Sequence, residues 1–317
     1  MSATTTLRQR KDANTSETAT RDGETTVGKV KKLIYHYSEL PEWQKDNDKI
    51  LNGYVRETQS MVKCLKSLTY FHNESVNIYT HLIPSATYLV LLMFFTDVIL
   101  IPHFPTTTMS DYIMINFYLL GAFVCLMCST CFHCLKQHSE AHSNIWSKVD
   151  YMGIIVQISC STVSLLYYGY HDHLFYFKVF TIITVVLGSC CSAFVLNDRF
   201  NAKNWRICRA AFFVCFAFSG IVPVLAGIAK FGLAESLQRV QVKYVTLEAL
   251  FYLSGALVYG FRIPETFAPG KFDFVGHSHQ IFHVLVVAGS ICHFRAVMGS
   301  YFFMHTGKLG SHLLTLG

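Results

Sequence analysis

The stretch Gly276-His277-Ser278-His279-Gln280-Ile281-Phe282-His283 leads into an apolar run, Val284 to Gly289, and sets two imidazoles four positions apart. Residues at that spacing lie one turn apart on one face of a helix, so His279 and His283 could grip a single metal ion. His277 stands two positions before His279, roughly on the opposite side of a helix, and does not join that pair. Ionisable groups at the head of an apolar run are costly to hold there, which makes them functional candidates. The plainer reading is a pair of satisfied polar side chains inside an apolar helix, and spacing alone does not separate the two.

What could position such a pair is set by composition. Of 317 residues 52% are hydrophobic and only 15% charged, against roughly 25% charged in soluble domains, and the mean hydropathy is +0.34; an integral membrane protein with several spans follows. The net charge of +6 is modest. Lys29, Lys31, Lys32, Lys45, Lys49, Lys63 and Lys66 precede the first long apolar run, where they suit an anionic membrane surface and not a nucleic acid. Residues 1–34, Thr-rich and polar, read as a disordered cytosolic tail without a signal peptide. Residues 35–79 read as an ordered segment lying against the membrane, 80–304 as the spanning domain and 305–317 as a short outer tail. Most of the eleven cysteines, Cys160, Cys190, Cys191 and Cys215 among them, fall inside apolar runs and read as small buried packing residues.

Seven stretches reach the ~20 apolar residues a spanning helix needs: Thr80 to Ile101, Tyr112 to Phe132, Tyr151 to Tyr170, Leu174 to Leu196, Ala210 to Phe231, Tyr244 to Phe261 and His279 to Met304. The fold class is therefore an all-α membrane protein with seven transmembrane helices. Lys and Arg favour cytosolic connections. The basic N-terminal side, Lys136 and Lys148, and the group Arg199, Lys203, Arg206 and Arg209 alternate with the connections at 102–111 and 171–173, which lack Lys and Arg. The N-terminus is expected in the cytosol and the C-terminus outside or in the lumen. Arg239 and Lys243, on the predicted outer side, argue the other way. With this orientation the sequons at Asn14 and Asn73 face the cytosol and stay unmodified. Ahead of the first span, Glu74, Asn77 and His81 share one helix face, read as a packing seam with direct ligation as the alternative.

The topology brings distant residues to one level. The second span runs inward and ends near His133, Asp150 precedes the third span at the same face, and His279 and His283 open the seventh there. Ser129, four before His133, shares its face. Three neutral imidazoles fit a zinc site with an open fourth position, the arrangement of catalytic zinc. Asp150 could then hold or deprotonate a water, with Ser129 beside it or touching substrate. Two rival groupings compete. His133, His138 and His142 are close in sequence, but the latter two stand in a polar stretch and read as solvated. Cys125, Cys128, Cys131 and Cys134 recur every three residues, which drifts round a helix and cannot face one ion. His293 lies ten residues past His283, about 15 Å along a helix, too far to share its metal.

The motifs Pro41-Glu42-Trp43 with Asp46-Asn47-Asp48 and Gly53, His72 to Leu82, Ser129 to His133, Lys148 to Gly153, Arg262-Ile263-Pro264-Glu265 with Pro269 to Asp273, and Ser278 to His283 resemble the progestin and adipoQ receptor family. These are adiponectin-receptor-like proteins related to haemolysin III, and the chain looks most like the fungal zinc-homeostasis branch. The resemblance spans residues ~35 to ~300. It implies an inward N-terminus, zinc held by His133, His279 and His283, Asp150 contacting the water on that zinc, and Ser129 beside the site. By analogy with alkaline ceramidases, which share a similar Ser, Asp and three-His set, it implies zinc-dependent hydrolysis of a ceramide-like lipid amide to a fatty acid and a sphingoid base. Zinc and lipid (sterol or sphingolipid) homeostasis, membrane-lipid partners and residence in the endoplasmic reticulum or plasma membrane follow from the same likeness. A non-catalytic receptor with a structural zinc and an extracellular ligand is the alternative; a metal transporter fits less well, for want of intramembrane carboxylates.

Overall fold

A computed structural model of the chain describes residues 32–201 and 203–315, with side chains described except at 201, 203 and 307–315. The expected tail at 1–34 and the Asn14 sequon therefore lie almost wholly or wholly outside the described residues. Seven helices are long and apolar enough to cross a membrane: α1 (Ser75–His103), α2 (Met109–Leu135), α3 (Glu140–Gly169), α4 (Leu174–Leu196), α5 (Arg206–Phe231), α6 (Val242–Phe261) and α7 (Ser278–Thr315). Their outward faces carry large apolar residues such as Val98, Ile182, Phe218, Leu250 and Phe302. In lipid such a face has its solvent, while the helical backbone satisfies its own polar groups.

Most helix ends fall outside the apolar stretches, because hydropathy marks the bilayer core while capping marks the helix. α2 starts at Met109, where Thr108 and Asp111 form a reciprocal capping box that closes two orphan N–H groups. α3 starts at Glu140, capped by Ser139, whose side chain accepts from His142 N–H. Asp150 consequently sits inside a helix and does not precede it. α1 begins at Ser75, inside the segment assigned to 35–79, and passes through a π-helical turn at Phe95–Leu100. α7 continues to Thr315, so the expected outer tail from 305 is in large part helix.

One apolar core joins α1, α2, α3 and α7 through Tyr88, Ile115, Tyr118, Leu119, Tyr168 and Tyr301, and a smaller one joins α3, α4 and α5 through Ile155, Val195 and Phe216. Small residues let helices close in. A Cβ on Gly153 would come 3.1 Å from Cys125 Cα, so α3 lies nearly against the backbone of α2. A Cβ on Gly289 would lie 2.8 Å from Cδ1 of Tyr252, which fixes the α6–α7 crossing. The eleven cysteines are free thiols; Cys160 and Cys191 are buried as expected, whereas Cys190 and Cys215 lie on the outer surface of their helices.

The segment before α1 is ordered and folds onto the connection between α6 and α7. Tyr35 and Tyr54 pair as an antiparallel bridge. Asp273 accepts from Leu51 N–H at 2.7 Å and from Asn52 Nδ2 at 3.0 Å. Glu265, fully buried, accepts from Ser278 N–H at 2.8 Å and from the Ser278 hydroxyl. A carboxylate at the first turn of α7 meets the positive end of the helix dipole. Asn47 donates to the same carboxylate at 3.1 Å.

Candidate metal centre

The three histidines expected to meet do meet. The ring centroid of His133, on the last turn of α2, is 4.8 Å from those of both His279 and His283 on the first turns of α7, and the latter two are 4.9 Å apart. One nitrogen from each lies within 4.8 Å of the others.

Their outer bonds decide which nitrogens are free. His133 Nδ1 is 2.7 Å from Glu74 Oε2, and Lys136 Nζ pairs with the other oxygen of that carboxylate. Burial alone would raise the Glu74 carboxyl, but Lys136 and His133 outweigh it and hold it well below its ordinary value. An ionised carboxylate accepts, so His133 carries its hydrogen on Nδ1 and its lone pair on Nε2. That Nε2 is buried and has no hydrogen-bond partner among the described residues. His283 Nδ1–H donates to the Asn77 carbonyl at 3.0 Å, which again leaves Nε2 as the lone-pair atom. His279 stands against Tyr259 at 5.0 Å and lines the adjoining cavity. An orphaned acceptor nitrogen amid three imidazoles, two held in their tautomers from behind, is the donor set that suits a zinc ion.

Asp150 on α3 and Ser129 on α2 are neighbours across the α2–α3 seam, where Gly153 lets the two helices approach closely. Asp150 lines the same cavity as His279, Glu74 and Lys136. This cavity, of about 740 Å³, lies between α3, α5, α6 and α7. Its wall is mostly apolar, with Ile158, Phe213, Leu253 and Val286 among its members.

The stripe Glu74, Asn77 and His81 belongs to this site and is more than a packing seam. Glu74 and the Asn77 carbonyl hold two of the histidines, and His81 stacks on His283 with centroids 3.7 Å apart and planes 5° from parallel. Both His81 ring nitrogens are buried without a partner among the described residues. The Asn77 contact uses a backbone oxygen, for which a sequence carries no signal. His277 stays apart, 3.4 Å from the Asn73 carbonyl, and burial lowers its pKa. Burial likewise pushes His72 down to about 4. His138 and His142 lie against one another with ring centroids 3.8 Å apart and planes tilted by 35°, and both bond the Ser139 hydroxyl. Asn73, of the second sequon, is buried.

The profile of the haemolysin-III related family matches residues 69–294. The ADIPOR-like receptor IZH1 of Eremothecium gossypii is 59% identical over 307 residues, covering 96% of this chain and 97% of that protein. The ADIPOR-like receptor IZH2 of Saccharomyces cerevisiae is 46% identical, covering 88% of each chain. The adiponectin receptor protein of Drosophila melanogaster is 34% identical, covering 83% of this chain and 59% of that one.

Proposed function

Since the chain belongs to the haemolysin-III related family of adiponectin-receptor-like membrane proteins, we propose that His133, His279 and His283 hold one zinc ion. We propose further that the centre hydrolyses the amide of a ceramide-like membrane lipid and so acts on zinc and lipid homeostasis. The observation that carries this is the buried, partnerless Nε2 of His133 among two other imidazoles. A bound zinc would supply a Lewis acid that polarises the amide carbonyl and activates water.

The chain's own residues would do the rest. Glu74 and the Asn77 carbonyl keep His133 and His283 in the ligating tautomer. Asp150, on the cavity wall, takes a proton from the attacking water as its oxygen bonds to the amide carbon. It returns the proton to the leaving nitrogen as the C–N bond breaks, giving a fatty acid and a sphingoid base. Ser129 orients the Asp150 carboxylate. The apolar wall holds the chains and excludes bulk water.

In the same reading the N-terminus is cytosolic and the site lies near the cytosolic face of the endoplasmic reticulum or plasma membrane. Arg239, which argues against that orientation, forms a two-pronged pair with Asp172 at 2.7 Å on each prong and bonds Glu235 at 2.8 Å.

The test is release of fatty acid from labelled ceramide by purified protein in lipid nanodiscs. Release should vanish in His279→Ala and Asp150→Asn; undiminished release from a zinc-free variant would defeat the reading. The interlock of residues 47–52 with Glu265 and Asp273 at the start of α7 supports a second reading, a receptor whose zinc is structural and whose helices shift with an extracellular ligand. That reading expects loss of folding on metal removal and no hydrolytic product.

A further inference from the structure

The cavity extends along α3 from Asp150 to Tyr170, about 30 Å at the helical rise. Between about a third and a half of the way along, its apolar wall is interrupted by Gln157 on α3, Glu248 on α6 and His293 on α7. His293 Nε2 lies 3.0 Å from the Ser161 carbonyl and Nδ1 lies 2.8 Å from Glu248 Oε2. A carbonyl only accepts, so Nε2 carries a hydrogen. Nδ1 and Oε2 are then partners in one hydrogen bond, which occupies that oxygen of Glu248. Tyr118 stacks on this ring at 5.0 Å and donates to the Ser290 carbonyl, which fixes it.

Two polar groups remain unused. Glu248 Oε1 has no hydrogen-bond partner among the described residues, and Glu248 lines the cavity. Gln157, 8% exposed, also lines it, and neither its Nε2 nor its Oε1 has a partner. Buried amides are ordinarily satisfied, and ionisable groups at membrane depth ordinarily serve a ligand or a proton.

We propose that Gln157, Glu248 and His293 form a hydroxyl-binding subsite for a long-chain lipid that carries an uncharged hydroxyl near the middle of its chain. His293 is ten residues beyond His283 on α7, so the subsite lies about 15 Å along the helix from the metal centre. A hydroxyl donates to Glu248 Oε1 and accepts from Gln157 Nε2, the amide end left over where Gln157 Oε1 lies against Gly121 of α2. A hydroxyl both donates and accepts, so it can meet an acceptor oxygen of Glu248 and an amide donor of Gln157, which a carboxylate or an ammonium cannot do. The inference rests on the cavity as the berth of a lipid chain, but not on hydrolysis.

The test is equilibrium binding to the full chain in nanodiscs, by displacement of a fluorescent fatty acid. Hydroxystearate with a mid-chain hydroxyl is compared with stearate. Hydroxystearate should bind up to about tenfold more tightly, the worth of one good hydrogen bond. Gln157→Leu, close in volume, should cut the preference severalfold and leave stearate affinity unchanged. Equal affinities in the parent overturn the subsite, as does a preference undiminished in Gln157→Leu. Failure of either chain to bind overturns it together with the lipid-berth reading, whereas binding without ceramide hydrolysis counts only against the catalytic proposal. The parent's own preference is decisive even where the variant does not fold.

Discussion

Replacing Glu74 by alanine removes a group that touches no metal yet sets the chemistry of one that would. The carboxylate lies 2.7 Å from His133 Nδ1 and pairs with Lys136. Without it the His133 ring is free to carry its hydrogen on Nε2, the nitrogen that must be bare to ligate. Outer partners of ligating histidines are worth 10–100-fold in metal affinity, about 1.4–2.8 kcal/mol. Glu74→Ala should therefore weaken zinc binding by about that factor, and Glu74→Gln, whose amide oxygen can still accept from Nδ1–H, by less. The assay is competition between the detergent-purified protein and a chromophoric chelator, with thermal melting to confirm that each variant is folded. Folded Glu74→Ala protein with parental zinc affinity would refute the tautomer argument. Gln weaker than Ala would show that Glu74 acts through steric fit and not through its bond to His133.

Asp150→Asn should retain zinc and lose hydrolysis by about 10²–10⁴-fold, with Ser129→Ala falling less; loss of the metal in either would place them among the ligands' supports. Gly289→Ala, which drives a methyl into the Tyr252 ring, should cost about 1–3 kcal/mol by overpacking and lower the melting temperature; an unchanged melting curve would mean that α6 and α7 do not cross so closely. Arg239 holds the Asp172 carboxyl down at about 2, chiefly by hydrogen bonding. A depressed carboxyl stabilises the fold above its ordinary value of 3.8 and loses that stabilisation as pH falls toward about 2. Because Asp172 is 40% exposed, its share is at most about 1 kcal/mol. Parent protein should lose this increment between pH 4 and pH 2, by melting temperature against pH, and Arg239→Ala should lack the step; identical profiles would remove the pair from the stability account.

The sequence announces the seven spans because lipid-facing helices need apolar length, and it announces the three histidines because i, i+4 spacing and span direction bring them to one level. Helix starts were less legible. Ser139 and Thr108 begin helices in polar stretches, so hydropathy could not mark them, and Asp150 was set before a helix it lies within. Glu74 was visible only as a member of a polar stripe, since its partner His133 is 59 residues away. The Asn77 carbonyl and the two free nitrogens of His81 depend on packing and leave no pattern in the chain. The midspan group of Gln157, Glu248 and His293 comes from three helices, and only His293 drew notice, as a residue too far away to ligate.

Zinc per chain tests the central claim most directly. Elemental mass spectrometry on folded, unchelated, detergent-purified protein should find one zinc in the parent and none in a folded His133→Ala, His279→Ala, His283→Ala triple variant. A folded parent without zinc, or a triple variant that retains it, would contradict the metal centre and leave these histidines as polar packing groups.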